Sequence, residues 1–307
     1  MKPFNKILFL SFVLLLACPY AVADDSAPVQ SGAVKYVVTH ATVVPVREEP
    51  SHAAEQATQL LFGELCEVVE RIPSWTKIRS TIDGQVGWVT SGMFTPVANT
   101  PSPDCLDAVV AHPVATATPI NGGDPLLLTL GTRLPNYSQG TFEVLGQQYR
   151  IPSICVNVTT AKRSTGAADL QRSDLQRSDL IMIAKSLLNT PYHWGGKNAM
   201  GLDCSGFAQV VYAAIGINIL RNAREQITQG ELVPSLSDAL PGDLAFFDQD
   251  DYDPNDIRIT HVGILLSPTE IIHCAGPCVH IDRIDASGIY LPDGTKTHHL
   301  VQIKRYL

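Results

Sequence analysis

The hydrophobic pattern of this chain changes period once, and that change limits it to a β-rich front half joined to a mixed α+β back half. From Val34 to about Val97 apolar residues come in short runs: Tyr36-Val37-Val38, Ala41 to Val46, Leu60-Leu61-Phe62, Glu67-Val68-Val69, Thr76-Lys77-Ile78 and Gly87-Trp88-Val89. Asp83-Gly84 separates the last two runs, a hairpin signal. This spacing predicts a small β-barrel over residues 30–97. The stretch Asn99-Thr100-Pro101-Ser102-Pro103-Asp104 is a stiff, solvated connector. Residues 104–158 again alternate short apolar runs with turns, at Asn121-Gly122-Gly123-Asp124 and Asn136-Tyr137-Ser138, and predict a second barrel. Residues 159–177 are expected to be a linker. In it Gln171-Arg172-Ser173-Asp174-Leu175 is repeated at once as Gln176-Arg177-Ser178-Asp179-Leu180, which fits a lengthened linker or a first helix turn.

From Ser178 to Leu307 the pattern is different. Leu180, Ile183, Ala184, Leu187 and Leu188 recur at helical intervals, with Ser178 or Asp179 as N-cap. A second helix is expected from Cys204 to about Ala214, ending near Gly216. Strands follow at Leu244 to Phe247, His261 to Leu266, Glu270 to Cys274, Val279 to Ile281 and Leu300 to Arg305. Helices first and sheet afterwards is an α+β layout.

Length allows two or three packed domains, since the chain has 307 residues, 45% of them hydrophobic. The one long apolar run, Ile7 to Ala17, is about half a bilayer span. It follows Lys2 and Lys6 and leads to Ala21-Val22-Ala23, so residues 1–23 read as a signal peptide and the chain as exported, periplasmic or secreted. A lipoprotein box at Leu15-Leu16-Ala17-Cys18 is the less favoured reading, because Leu16 and Pro19 fit it poorly. Loss of Lys2 and Lys6 with the leader leaves 20 basic against 30 acidic residues, a net charge of −10. That balance disfavours nucleic acid and anionic lipid as partners, and a monomer without stable membrane insertion is expected. Export permits disulfides among Cys66, Cys105, Cys155, Cys204, Cys274 and Cys278. A Cys105–Cys155 bridge, one pairing the spacing allows, would contribute about 4 kcal/mol.

The chemistry-bearing residues lie in the back half. Cys204, in Asp203-Cys204-Ser205-Gly206-Phe207, opens the second helix, where unpaired N–H groups and the helix dipole favour a thiolate. His261 starts one strand and His273 lies on the next, so two adjacent strands can bring a base and its orienting group together. The segments Pro191-Tyr192-His193-Trp194-Gly195-Gly196, Gly201 to Phe207, Pro241-Gly242-Asp243-Leu244, His261-Val262-Gly263-Ile264 and His273 resemble the NlpC-type papain-like cysteine peptidases of bacterial cell walls. Similarly Val46 to Pro50, Glu55 to Glu64, Trp75, Asp83-Gly84 and Gly87-Trp88-Val89 resemble the bacterial SH3-like domain that precedes certain murein peptidases.

The resemblance implies two SH3-like barrels followed by a papain-like α+β domain, with Cys204 as nucleophile, His261 as general base then acid, and His273 holding His261. It further implies that the Tyr192 hydroxyl joins the Cys204 backbone N–H against an oxyanion. Asp203 is expected to bind an alanine ammonium, with Ser205 and Trp194 lining the pocket, although Tyr192 and Trp194 also fit simple packing. Arg221 is expected either to contact a substrate carboxylate or to lie on the surface. Trp88 is the candidate first-barrel aromatic for the cleft, with barrel core as its other reading. The two-barrel arrangement points to gamma-D-glutamyl-L-diamino-acid endopeptidases acting on short murein stem peptides with a free N-terminal L-Ala. No metal or organic cofactor is implied. Two other functions stay open: hydrolysis of intact wall, and an inactive wall-peptide-binding protein. Zinc binding by His273, Cys274, Cys278 and His280 is disfavoured by crowding, with a local Cys274–Cys278 disulfide ahead of it. The acidic run Asp248 to Asp256 lacks the calcium-loop Gly and Glu and reads as a solvated loop.

Overall fold

The structure, a computed structural model, describes residues 35–97, 108–158, 167–249 and 253–307, with the backbone alone for 167–174. The leader, Cys18, Cys105 and Asp250 to Tyr252 lie outside the described residues. The front strands are β1 (Tyr36–Thr39), β2 (Val43–Arg47), β3 (Gln56–Leu61), β4 (Leu65–Ile72), β5 (Trp75–Ser80), β6 (Val86–Thr90) and β7 (Phe94–Val97). They form one antiparallel sheet in the order β3-β2-β6-β5-β4-β1-β7. Alternation puts Val44 and Val46 of β2 inside with Leu60, Ile78 and Val89, and free Cys66 fills the same core. The β5–β6 hairpin turns at Asp83-Gly84, where Gly84 takes φ +73°.

Six further strands follow: β8 (Ala108–Val110), β9 (Val114–Pro119), β10 (Leu126–Thr129), β11 (Thr141–Val144), β12 (Gln147–Arg150) and β13 (Val156–Val158). They make a four-stranded sheet, β10-β9-β12-β11, and a β13–β8 pair. Their core of Leu128, Leu134, Phe142 and Ile151 also takes in Val38 and Phe62 from the front sheet, so the two β units share a hydrophobic cluster.

The back half begins with helix α1 (Ala167–Ser186), eleven residues ahead of the expected start. Its duplicated pentads contain neither Gly nor Pro, so nothing in them stops a helix. The expected linker therefore does not extend to residue 177. Arg177, within the second pentad, is buried and reaches Asp243 at 3.3 Å and the Pro241 and Leu307 carbonyls at 2.9 Å each. Next come β14 (Lys197–Asn198), β15 (Gly201–Leu202), α2 (Cys204–Ala214), α3 (Ala223–Gln226) and β16 (Glu231–Val233). The last strands are β17 (Leu244–Gln249), β18 (His261–Ser267), β19 (Glu270–Ala275), β20 (Cys278–Asp285), β21 (Gly288–Tyr290) and β22 (Lys296–Arg305). Their order is β16-β22-β17-β18-β19-β20-β21, and β21 pairs again with β22, so six strands close on themselves. Helices α1 and α2 pack Leu180, Ile183, Leu187, Phe207 and Val211 against Leu244, Val262 and Ile272 of this sheet. No helix among the described residues is long and apolar enough to cross a membrane.

Candidate active site

Cys204 is the first residue of α2. Asp203 caps that helix from extended backbone, and its Oδ1 accepts the Gly206 N–H at 2.7 Å. Gly206 is required here, because a Cβ would collide with the Gly196 carbonyl oxygen. Arg221 lies neither on the surface nor in reach of solvent: it is 1% exposed, with its guanidinium 3.0 Å and 2.6 Å from the two Asp203 oxygens. It also donates to Ser205 Oγ at 2.8 Å and to Thr58 Oγ1 of β3 at 2.7 Å. The expected ammonium-binding carboxylate is thus already neutralised by a bidentate partner, although Asp203 and Ser205 still line the cleft.

The imidazoles follow from strand register. His273 on β19 pairs directly with His280 on β20, and Asp282 pairs with Ile271, two residues from His273. With a side-chain period of two, His273, His280 and Asp282 share a face. The Ile264–Ile272 pairing of β18 with β19 brings His261 to the same face. His261 Nε2 lies 2.7 Å from His273 Nδ1, and His273 Nε2 lies 3.2 Å from Asp282 Oδ2. An ionised carboxylate only accepts, so His273 carries its proton on Nε2 and accepts at Nδ1. His261 then donates from Nε2 and keeps its Nδ1 lone pair for the pocket it shares with Cys204. Asp282 was not singled out from the sequence, and His280 was named there only as a disfavoured zinc ligand; nor was His298 singled out, whose ring stacks on His261 at 4.4 Å. The available signal was the period-two continuation of the Val279 to Ile281 run.

Burial works against charge on both Cys204 and His261. Burial pushes the Cys204 thiol up, to about 12, with the Asp203 carboxylate adding to it, while Arg221 and the Val262 and Ser205 backbone amides pull the other way. Desolvation thus opposes the thiolate that the N–H groups of the helix terminus favour. Burial also drives His261 well below 6.5, aided by His273, His298 and His280. Burial alone would raise the Asp282 carboxyl, yet His273 and His280 hold it below the usual range. A neutral thiol beside a neutral, correctly tautomerised imidazole suits general-base activation during attack.

The front sheet forms one wall of a cleft of about 770 Å³ that contains Tyr192, Trp194 and Cys204. Gln59 of β3 accepts from Lys197 N–H and Asn198 Nδ2 at 2.8 and 2.7 Å, and Glu64 pairs with Lys197 at 2.9 Å in a buried ion pair. Gly195 packs so closely on β3 that a Cβ would strike the Gln56 carbonyl. Trp194 is 61% exposed in this cleft and Tyr192 is half-buried. Trp88 does not line it. It is buried opposite Lys77, whose ammonium stands 5.6 Å from the ring centroid and covers it. Lys77, Glu48, Glu55 and Gln85 supply the wall instead.

The local Cys274–Cys278 disulfide does not form. Cys278 pairs with Ala275, so it faces away from Cys274, whose thiol donates to the Leu202 carbonyl at 3.0 Å. Both cysteines, and Cys155, are free. Asp248 departs from the solvated-loop expectation, being buried with its carboxylate on the Gln249 and Arg258 N–H groups at 2.7 and 2.8 Å.

A family model described as "NlpC/P60 family" matches residues 189–300, and one described as "Bacterial dipeptidyl-peptidase Sh3 domain" matches residues 46–92. A gamma-D-glutamyl-L-lysine dipeptidyl-peptidase of Bacillus subtilis (strain 168) is 30% identical over 228 residues, covering 70% of this chain and 71% of that one. A Bacillus cereus protein of the same name is 28% identical over 245 residues, covering 73% and 68%. The crystal structure of an NlpC/P60 family protein from Bacillus cereus ATCC 10987 superposes with a TM-score of 0.70 at 22% identity, over 89% of this chain and 99% of that one.

Proposed function

This chain belongs to the NlpC/P60 family, a cysteine peptidase family, and from that premise we propose that it hydrolyses the bond between the γ-carboxyl of D-Glu and the diamino acid of murein stem peptides. The observation that carries the reading is the hydrogen-bonded series His261, His273, Asp282, which leaves a His261 lone pair in the pocket of Cys204. As Cys204 Sγ attacks the γ-carbonyl, His261 Nδ1 takes the thiol proton. The tetrahedral oxyanion is held by the Cys204 N–H and the Tyr192 hydroxyl. Collapse gives a thioester, and His261 returns the proton to the departing amine. Water, deprotonated by the same nitrogen, then releases the L-Ala-γ-D-Glu acid.

The favoured substrates are short peptides with a free N-terminal L-Ala, the diamino acid being meso-diaminopimelate or L-Lys. An ammonium at that end meets Glu48, Glu55 and the Asp203 edge, and substrate carboxylates meet Lys77 and Arg224, all of which line the cleft. Trp194 is the exposed ring against which the peptide packs. Arg221 acts through Asp203 and Ser205 rather than on substrate. The second β unit is read as a divergent SH3-like barrel, the sheet domain as papain-like, and the chain as exported, periplasmic or secreted, through residues 1–23.

Mass-spectrometric product analysis of L-Ala-γ-D-Glu-meso-diaminopimelate and of purified sacculi tests this. Wild type is expected to release free diaminopimelate from the tripeptide and little from sacculi, and Cys204→Ala to release none while keeping its thermal unfolding transition. Wild-type-like turnover by Cys204→Ala, or cleavage at the L-Ala bond instead, contradicts the assignment.

A further inference from the structure

Asp282 receives two imidazoles at once. His273 Nε2 and His280 Nε2 each lie 3.2 Å from the same oxygen, Oδ2, and all three donor atoms fall within 4.8 Å of one another. A tetrahedral zinc ion with bonds of about 2.0–2.1 Å separates its ligand atoms by about 3.3 Å, so both imidazole–carboxylate spacings already match.

His280 is oriented as a ligand. Its Nδ1 lies 2.7 Å from the Cys278 carbonyl oxygen, which only accepts, so the ring hydrogen sits on Nδ1. In the neutral ring, Nε2 then points a lone pair at a carboxylate oxygen, and two acceptors at that distance need a cation between them, a proton or a metal ion. An imidazole anchored through Nδ1–H on a backbone carbonyl is the usual support of a metal-binding histidine. The cluster borders the same pocket as Cys204 and His261, and the His280 side chain is 28% exposed, so an ion can enter without unfolding.

We propose that His273 Nε2, His280 Nε2 and Asp282 Oδ2 form an inhibitory zinc-class site, with the fourth position open to water from the pocket. The ligand set differs from the one the hairpin sequence suggests, because Cys274 is turned to Leu202 on the opposite face, and Cys278, although on the face of His280, is not among the ligand atoms that lie within 4.8 Å of one another. Inhibition follows from proton positions and rests on the peptidase reading above. Zinc takes the Nε2 lone pair of His273, so the ring's single proton resides on Nδ1 and is donated to His261 Nε2. The His261 proton is thereby displaced to Nδ1, where it faces Cys204 in place of the lone pair. Each ring keeps one proton, and the base is lost without the thiol being touched.

Isothermal titration of the folded protein with ZnCl2 decides the matter. Cys204→Ala is expected to bind one zinc ion, and His280→Gln or Asp282→Asn placed in that background to bind it at least about tenfold more weakly. In hydrolysis assays, zinc should inhibit wild type reversibly by EDTA. His280→Gln should need at least about tenfold more zinc, relative to its own metal-free rate. Binding that vanishes in Cys204→Ala, or that His280→Gln and Asp282→Asn leave unchanged, places the ion on the thiol and overturns the site, as does absence of stoichiometric binding. Failure of the peptidase reading shows separately, as no turnover of metal-free wild type, and leaves the calorimetric result standing.

Discussion

At the scale of single residues, the site is governed by where protons sit. Asp282 fixes the His273 tautomer, which fixes that of His261, so Asp282 acts through the two imidazoles. It is a positioning residue, and Asp282→Asn should lower kcat about 10- to 100-fold with little change in KM. Loss of its charge also destabilises the imidazolium, so the acid limb of the pH profile should move to lower pH; a fall in kcat with an unmoved limb would indicate a packing role only. The wild-type profile has a definite sign. In the proposed mechanism His261 works unprotonated, and it is held well below 6.5 by burial and its neighbouring imidazoles. Activity is therefore present above that lowered value and lost as pH falls through it, so kcat/KM should remain level down past pH 6.5. A limb at or above 6.5 would show that His261 is not held neutral.

At the scale of elements, α2 and the loop before it are fixed from both sides. The Lys197–Glu64 pair, 5% and 4% exposed, ties β14 to the front sheet. Lys197→Met leaves Glu64 charged and buried, and should cost about 3–5 kcal/mol in denaturant unfolding, most of it recovered by adding Glu64→Leu. No loss in the single variant would mean that the front sheet is not held there. Periodicity and turn chemistry made the strands around Val44, Ile78 and Leu244 legible, as well as α2 from Cys204 to Ala214, because each is set by its own neighbours in sequence. The start of α1 was not, because the duplicated pentads carry no apolar periodicity to mark a helix, and the burial of Arg177 against Asp243 and Leu307 depends on residues far along the chain. Cys204, His261 and His273 were legible as motif positions. The burial of Arg221, the covering of Trp88 by Lys77 and the arrival of Asp282 all depend on which strands become neighbours, and β20 carries Asp282 one residue beyond the run that marked it.

At the scale of the whole molecule, the three assemblies act as one support, and the described residues form a single compact unit. The front sheet walls the cleft with Glu48, Glu55 and Lys77, and the second β unit backs α2, with Asn157 donating to the Ala214 carbonyl at 3.0 Å and Gly131 against Val210. In the function proposed above, a cleft bordered by Glu48 and Glu55 of the front unit receives the charged N-terminus of a small peptide, which a glycan-linked amide lacks. The measurement that tests this most directly is kcat/KM for L-Ala-γ-D-Glu-meso-diaminopimelate against its N-acetylated form. A preference of at least about a hundredfold for the free amine is predicted, because acetylation leaves those carboxylates unpaired; equal rates would contradict a cleft that reads the peptide's N-terminus.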